Sequence, residues 1–146
     1  MLIRASVPDF RTIHVIPNFF NIVHAENPGI AFSLFSDASG TWRSVVLIGL
    51  STAVILFITA TLLRGGSGVN WMLRIGLALV LGGAIGNLYD RIATGTVTDF
   101  VEVYAGNHYF PSFNVADSAI TIGACLLLLD VLAGSRSAKV NSDHVS

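Results

Sequence analysis

Residues 45–63 read VVLIGLSTAVILFITATLL, nineteen positions without one charged side chain. An α-helix rises about 1.5 Å per residue, so about 20 apolar residues cross a hydrocarbon layer of roughly 30 Å. A core helix of that length in a water-soluble protein would carry a polar face. Here only Ser51, Thr52, Thr59 and Thr61 interrupt the apolar surface, so the segment reads as a membrane span. Two more stretches follow. Residues 71–89 carry Arg74 one turn in, where a long side chain snorkels to the headgroups, and then IGLALVLGGAIGNLY. Gly82, Gly83 and Gly86 fall on about one turn of that helix, a pattern that lets a second helix approach closely. Residues 113–133 have IGACLLLL at their centre, with Asp117 near one end and Asp130 near the other. Cys125 lies inside this run and reads as a small buried hydrophobe.

The composition agrees with these spans. Of 146 residues 53% are hydrophobic and 12% charged, and the mean hydropathy is +0.70. Soluble domains have about 25% charged residues, so this chain has too little charge to cover a globule with a wetted surface. That excludes a soluble enzyme and a disordered tail. A net charge of −1 supplies no field for polyanions, which excludes a nucleic-acid binder. A single cysteine excludes an intramolecular disulfide and a cysteine-based zinc cluster.

Loop charge gives the orientation. The link between the first two spans carries Arg64 and Arg74 and no acid, and the tail at 134–146 carries Arg136 and Lys139. Residues 90–117 hold one Arg and four acids. The positive-inside rule puts the first link and the tail in the cytoplasm and residues 90–117 outside; Arg43 is a minor dissent. Residues 1–44 then also lie outside. His, Asn, Pro and Gly break their apolar pattern into short strands and turns. No secretory leader is visible, because Pro8 and Asp9 interrupt the start. A tail of this length would have to cross the membrane ahead of the first span, so an upstream helix is expected to be absent from this sequence.

Acids at the ends of membrane helices read as functional. Asp90 in GNLYDR, Asp99 in TVTDF and Asp117 in FNVADS all fall on the outer side. Two facing carboxylates cannot both ionise, so one keeps a proton and the other is a base. Such a pair can activate water and protonate a leaving amine with no metal or other cofactor. Each acid also has a structural reading. Asp90 suits an ion pair with Arg91, Asp99 a turn, and Asp117 the N-cap of the third span. Spacing alone leaves these alternatives open.

NPGIAF, GGAIGNLYDR, TVTDF and FNVADS occur in this order around the spans. Over about residues 13–133 the chain resembles the lipoprotein signal peptidase (signal peptidase II) family of bacterial membrane aspartyl peptidases. The resemblance implies Asp99 and Asp117 as the catalytic pair, with Asn27, Gly29, Asn87, Asp90, Arg91 and Asn114 supporting the site. It implies removal of the signal peptide of a diacylglyceryl-modified prolipoprotein on the N-terminal side of the lipidated Cys, in the bacterial inner membrane. The implied fold is an all-α integral membrane protein of four spans, three of them in this chain. An outer β-cradle at 13–40 rests on the membrane, and a short outer helix within 101–110 gates the substrate. Two departures stand out. The family's first helix, with its D-Q-x-x-K-like end, is missing. Pro28 occupies the middle of N-x-G, where it favours the turn and leaves Asn27 and Gly29 their roles.

In this reading the Asn87 and Asn114 amides donate to carboxylate oxygens or substrate backbone, or join helix ends. Arg91 orders the site through Asp90 or anchors at the headgroups. An acylated, apolar substrate arrives sideways from the lipid, along a groove where Gly82, Gly83 and Gly86 leave room for backbone. Phe32, Phe35, Tyr104 and Phe110 lean over that groove or anchor at the interface. The protein is expected to act as a monomer among membrane lipids.

Other readings have less support. His14, His24, His108 and His144 are scattered, without a zinc-protease spacing. Ser118 with His108 lacks a serine-hydrolase motif. A proton-coupled carrier would want its acids at the midplane, and a non-catalytic binder of lipoprotein precursors would have lost the acids.

Overall fold

The computed structural model describes residues 12–29, 40–64 and 70–143. Three helices dominate: α1 (Gly40–Arg64), α2 (Trp71–Thr94) and α3 (Val115–Asp143). Each contains a stretch long and apolar enough to cross a membrane, Trp42–Arg64, Trp71–Thr94 and Val115–Ala133. All three spans expected from the sequence are present, and α3 continues past residue 133. Their outer faces are apolar and open: Leu50, Leu56, Phe57, Leu63, Leu128 and Val131 are all exposed. A continuous belt of this kind suits hydrocarbon rather than water.

α2 packs against both other helices, and most extensively against α3. Glycines permit the close approach. A Cβ on Gly83 would lie 2.4 Å from the Ala116 carbonyl oxygen, and one on Gly123 would lie 2.7 Å from that of Gly76. Gly83 therefore serves the helix–helix seam. Gly86 faces Ala116 at ordinary contact distance and Gly82 faces open space; none of the three lines the cavity over the carboxylates.

The remaining described chain forms a four-stranded antiparallel sheet in the order β1 (Ile13–Ile16), β2 (Phe20–Asn27), β3 (Val97–Ala105) and β4 (His108–Tyr109). Asn18, at φ 60°, turns β1 into β2. Buried Asn21 joins three strands: its Oδ1 is 2.9 Å from His14 Nδ1, and its Nδ2 donates to Glu102 Oε2 at 2.8 Å. The expected cradle is thus strand at 13–27, and residues 30–39 lie outside the described part.

The short helix expected within 101–110 is instead the β3–β4 hairpin. VEVYA is rich in branched and aromatic side chains, which suit a pleated surface. Val101 and Val103 pair with Ile22 and Phe20 of β2, and Gly106, at φ +59°, makes the turn.

These connections place the site. Gly95, at φ +81°, ends α2 by donating its N–H to the Arg91 carbonyl, and the chain enters β3 two residues later. After β4, Phe113 bridges back to Val101 by exchanging hydrogen bonds of 2.8 and 3.0 Å. The next residue, Asn114, begins the third helix beside Asp99.

Candidate active site

Asp99 lies in β3 opposite Ala25 and is 3% exposed, a strand residue rather than a turn residue. Its carboxylate accepts two amide hydrogens, from Asn27 Nδ2 on Oδ2 and from Asn114 Nδ2 on Oδ1, both at 2.9 Å. Asp117 is the third residue of α3. Its backbone N–H donates to Asn114 Oδ1 at 3.0 Å, and its Oδ2 accepts the Asn114 N–H at 3.2 Å. This is a reciprocal capping box, with Asn114 as the cap and Asp117 returning the bond. The structural alternative for Asp117, the N-cap of this helix, falls instead to Asn114, one turn earlier.

The same two side chains join the acids. Asn114 Nδ2 also donates to Asn87 Oδ1 at 3.2 Å, and Asn87 Nδ2 donates to Asp117 Oδ1 at 2.8 Å. Asp99, Asn114, Asn87 and Asp117 thus form one connected chain drawn from β3, α2 and α3. Asn87 and Asn114 are buried, 8% and 5% exposed, and each engages both its amide oxygen and its amide nitrogen. In a low-dielectric site, leaving such groups unpaired would be costly.

A cavity of about 750 Å³ opens over this cluster. Asn27, Gly29, Arg91, Asp99 and Asp117 all line it. Asn87 and Asn114 stand behind the carboxylates. Leu47 of α1, the 110–113 segment and Ser118, Thr121 and Ile122 of α3 complete the wall. Most of these wall residues carried no sequence signal, because membership depends on how the helices are set side by side.

Asn27 has a second task. Its Oδ1 accepts the Gly29 N–H at 2.8 Å, closing a turn around Pro28 as the sequence suggested. Gly29 is at φ +89°, and a Cβ there would lie 2.2 Å from Leu47 Cδ1. Only glycine suits that backbone and that contact.

Arg91 reaches the cavity from the last turns of α2. Its Nη1 donates to the Asn87 carbonyl at 3.3 Å, and its Nε is buried with no hydrogen-bond partner among the described residues. Burial and the charges of Asp117, Asp99 and Asp90 act on the guanidinium. Asp90 itself is not a cavity residue; its carbonyl accepts from Thr94 Oγ1 at 2.7 Å. Ser118 donates its hydroxyl to the Asn114 carbonyl at 3.1 Å. Phe110 lines the cavity, whereas Tyr104 stacks on Tyr109 and accepts from the Asn18 N–H. Phe32 and Phe35 lie outside the described residues. Among the described residues, no three His, Cys, Asp or Glu side chains are grouped to hold a metal ion.

Burial raises the Asp99 carboxyl above the ordinary aspartate value. The Asn27 and Asn114 hydrogen bonds oppose this, the Asp117 charge adds to it, and the Arg91 charge opposes it.

A family model described as signal peptidase (SPase) II matches residues 1–133. The chain belongs to the signal peptidase II family. It is 44% identical over 137 residues to a lipoprotein signal peptidase of Solibacter usitatus, covering 94% of this chain and 83% of the relative. It is 47% identical over 129 residues to a lipoprotein signal peptidase of Pseudomonas putida, covering 88% and 74%. A solved structure described as a bacterial membrane enzyme, determined by the in meso method at 2.3 Å resolution, superposes with a TM-score of 0.77. That pair is 27% identical, with 92% of this chain and 79% of the other covered. A second, at 1.9 Å resolution, gives 0.76 at 28% identity, covering 90% and 81%. The chain is thus a multi-pass membrane protein of an aspartic-type peptidase family.

Proposed function

We propose that the protein cleaves the signal peptide from diacylglyceryl-modified prolipoproteins, N-terminal to the lipidated Cys, with Asp99 and Asp117 as its catalytic pair. The single observation that carries this reading is the amide chain joining two carboxylates from different elements beside one cavity.

The pair shares one proton. Asp99 holds it, since burial favours its neutral form. Asp117 is the base; its carboxylate is held in place by two N–H donors, from Asn87 Nδ2 and the Asn114 backbone. A water held between the pair gives a proton to Asp117 as its oxygen attacks the scissile carbonyl carbon. Asp99 gives its proton to the carbonyl oxygen, which yields a neutral tetrahedral diol. Asp99, now ionised, takes a diol proton back, Asp117 passes its proton to the amide nitrogen, and the C–N bond breaks. Acid and amine leave with the pair returned to its starting protonation. Arg91, with spare donors at the cavity wall, holds a substrate carbonyl.

The substrate enters from the bilayer. Leu47 and Ile122 give the wall an apolar side between α1 and α3, suited to a signal peptide and acyl chains. The cavity lies at the α2 C-terminus and α3 N-terminus, the end opposite Arg64 and Arg74, and the positive-inside rule supports an outward-facing site in the inner membrane. The protein works as a monomer in contact with membrane lipid.

Conversion of a lipidated prolipoprotein by the membrane-embedded protein tests this. Asp99→Asn and Asp117→Asn should each accumulate normally and cleave at least about 10³-fold more slowly. Full turnover by either would refute the assignment.

A further inference from the structure

The hydrogen bond from Asn27 to Asp99 requires Asn27 to sit on the cavity face of β2. An irregularity in the sheet sets that face. Ile22 lies opposite Val101 and Ala25 opposite Asp99, so Val23 and His24 together oppose the single residue Phe100. Such a bulge adds one residue to one strand, and a shift of one residue exchanges the faces of everything beyond it. Without the bulge, Asn27 would point away from Asp99.

Directly beyond the bulge stands Glu26, opposite Thr98. Its Oε1 accepts from His24 Nε2 at 2.9 Å and from Thr98 Oγ1 at 3.4 Å, and its Oε2 accepts from Thr96 Oγ1. The His24 side chain is 5% exposed and that of Glu26 39%. Successive strand residues project to opposite faces, so Asn27 grips Asp99 on the cavity side while Glu26 grips β3 on the other. One carboxylate therefore gathers the bulged residue, a hydroxyl of the partner strand (Thr98) and one from the residue just before it (Thr96).

We propose that Glu26 is a positioning residue for the reaction: by binding His24, Thr96 and Thr98 it locks β2 on β3 in the bulged register, and so holds Asn27 on Asp99. This inference rests on the assignment of Asp99 and Asp117 as the catalytic pair. Glu26 touches no substrate and acts through Asn27. The groups that face Asp99 itself are Asn27 from β2, Asn114 and Asp117 from the start of α3, and Arg91 from α2.

The test is the pH profile of kcat and KM on a lipidated prolipoprotein, with the full chain in vesicles. Glu26→Ala should lower kcat about tenfold and change KM by less than about twofold. It should also move the alkaline limb upward by about half a pH unit, in the direction of Asn27→Ala, because Asp99 loses a donor to its ionised form. Glu26→Ala added to Asn27→Ala should cost no more than about twofold further. Glu26→Gln keeps one acceptor oxygen and should recover part of the loss. If Glu26→Ala does not accumulate, the double variant Thr96→Val/Thr98→Val removes the two hydroxyls that Glu26 accepts from and should give the same shift. An unshifted alkaline limb with near-normal kcat, or full additivity with Asn27→Ala, overturns the inference. Asp99→Asn in the same assay separates the two claims. Turnover by that variant refutes the catalytic pair. Its inactivity beside a normal Glu26→Ala profile refutes only the positioning role.

Discussion

Two Asn–Asp pairs join α2 to α3, one at each end of the seam. At one end Asn87 Nδ2 donates to Asp117 at 2.8 Å; at the other Asn70 Nδ2 donates to Asp130 at 2.6 Å. The chemistry is the same, but the surroundings differ. Asn70 caps α2 by accepting the Met72 N–H at 3.3 Å, and the contact is exposed. Asn87 is buried, and a second amide from Asn114 ties its pair to another carboxylate at the edge of a cavity. An acid at a membrane helix end becomes chemically competent through what it is connected to. Asp130 is a fastening; Asp117 is a fastening through the capping box and, in the proposed mechanism, a reacting group as well.

Exchanging the acids gives the largest contrast. Asp117→Asn should abolish conversion of a lipidated prolipoprotein, whereas Asp130→Asn should leave kcat within about twofold. Loss of turnover in Asp130→Asn would break the comparison. The amides give a smaller one. Asn87→Ala removes a donor to a carboxylate, an interaction of about 1.5–3 kcal/mol, and should lower kcat roughly 10–100-fold. Asn70→Ala removes a helix cap and should cost about 1 kcal/mol of stability with activity retained. Thermal unfolding in detergent and steady-state kinetics on both variants check this.

The seam between the two pairs sharpens the contrast further. Gly83→Ala forces a methyl against the Ala116 carbonyl, next to Asp117, and should lower stability by about 1–3 kcal/mol along with activity. Gly82→Ala meets nothing within 4 Å and should be neutral or stabilising by up to about 1 kcal/mol. The smallest effect is on pH dependence. Asn27 and Asn114 lower the carboxyl value of Asp99, against the larger rise from burial. Removing either donor moves that value further up, so Asp99 keeps its proton to higher pH. The alkaline limb of kcat should therefore shift upward in Asn27→Ala, by about one pH unit.

The spans were legible because apolar runs of membrane length permit few other structures. Asp117 stood out because ionisable groups are rare at membrane helix ends; Asp99, inside a strand, is singled out as its partner only by the family resemblance. Their partners were half legible. Asn114 and Asp117 stand three apart in FNVAD, the capping-box spacing, but the sequence shows no sign that the cap would also reach Asp99. That contact depends on the Phe113–Val101 bridge, which joins residues distant in the chain. The resemblance implies a helix within 101–110, although the branched and aromatic residues of VEVY fit the strand the segment forms. The bulge at Val23 and His24 left no mark, because register depends on both strands together.

The most direct test is cleavage of a lipidated prolipoprotein by Asp99→Asn, by Asp117→Asn and by the double variant, each at matched protein levels in vesicles. Two groups that pass one proton between them fail as a unit. Each single variant should therefore be as inactive as the double, about 10³-fold or more below the parent. A single variant that keeps turnover within about tenfold of the parent, or a double variant whose loss is the product of two modest ones, would contradict the account.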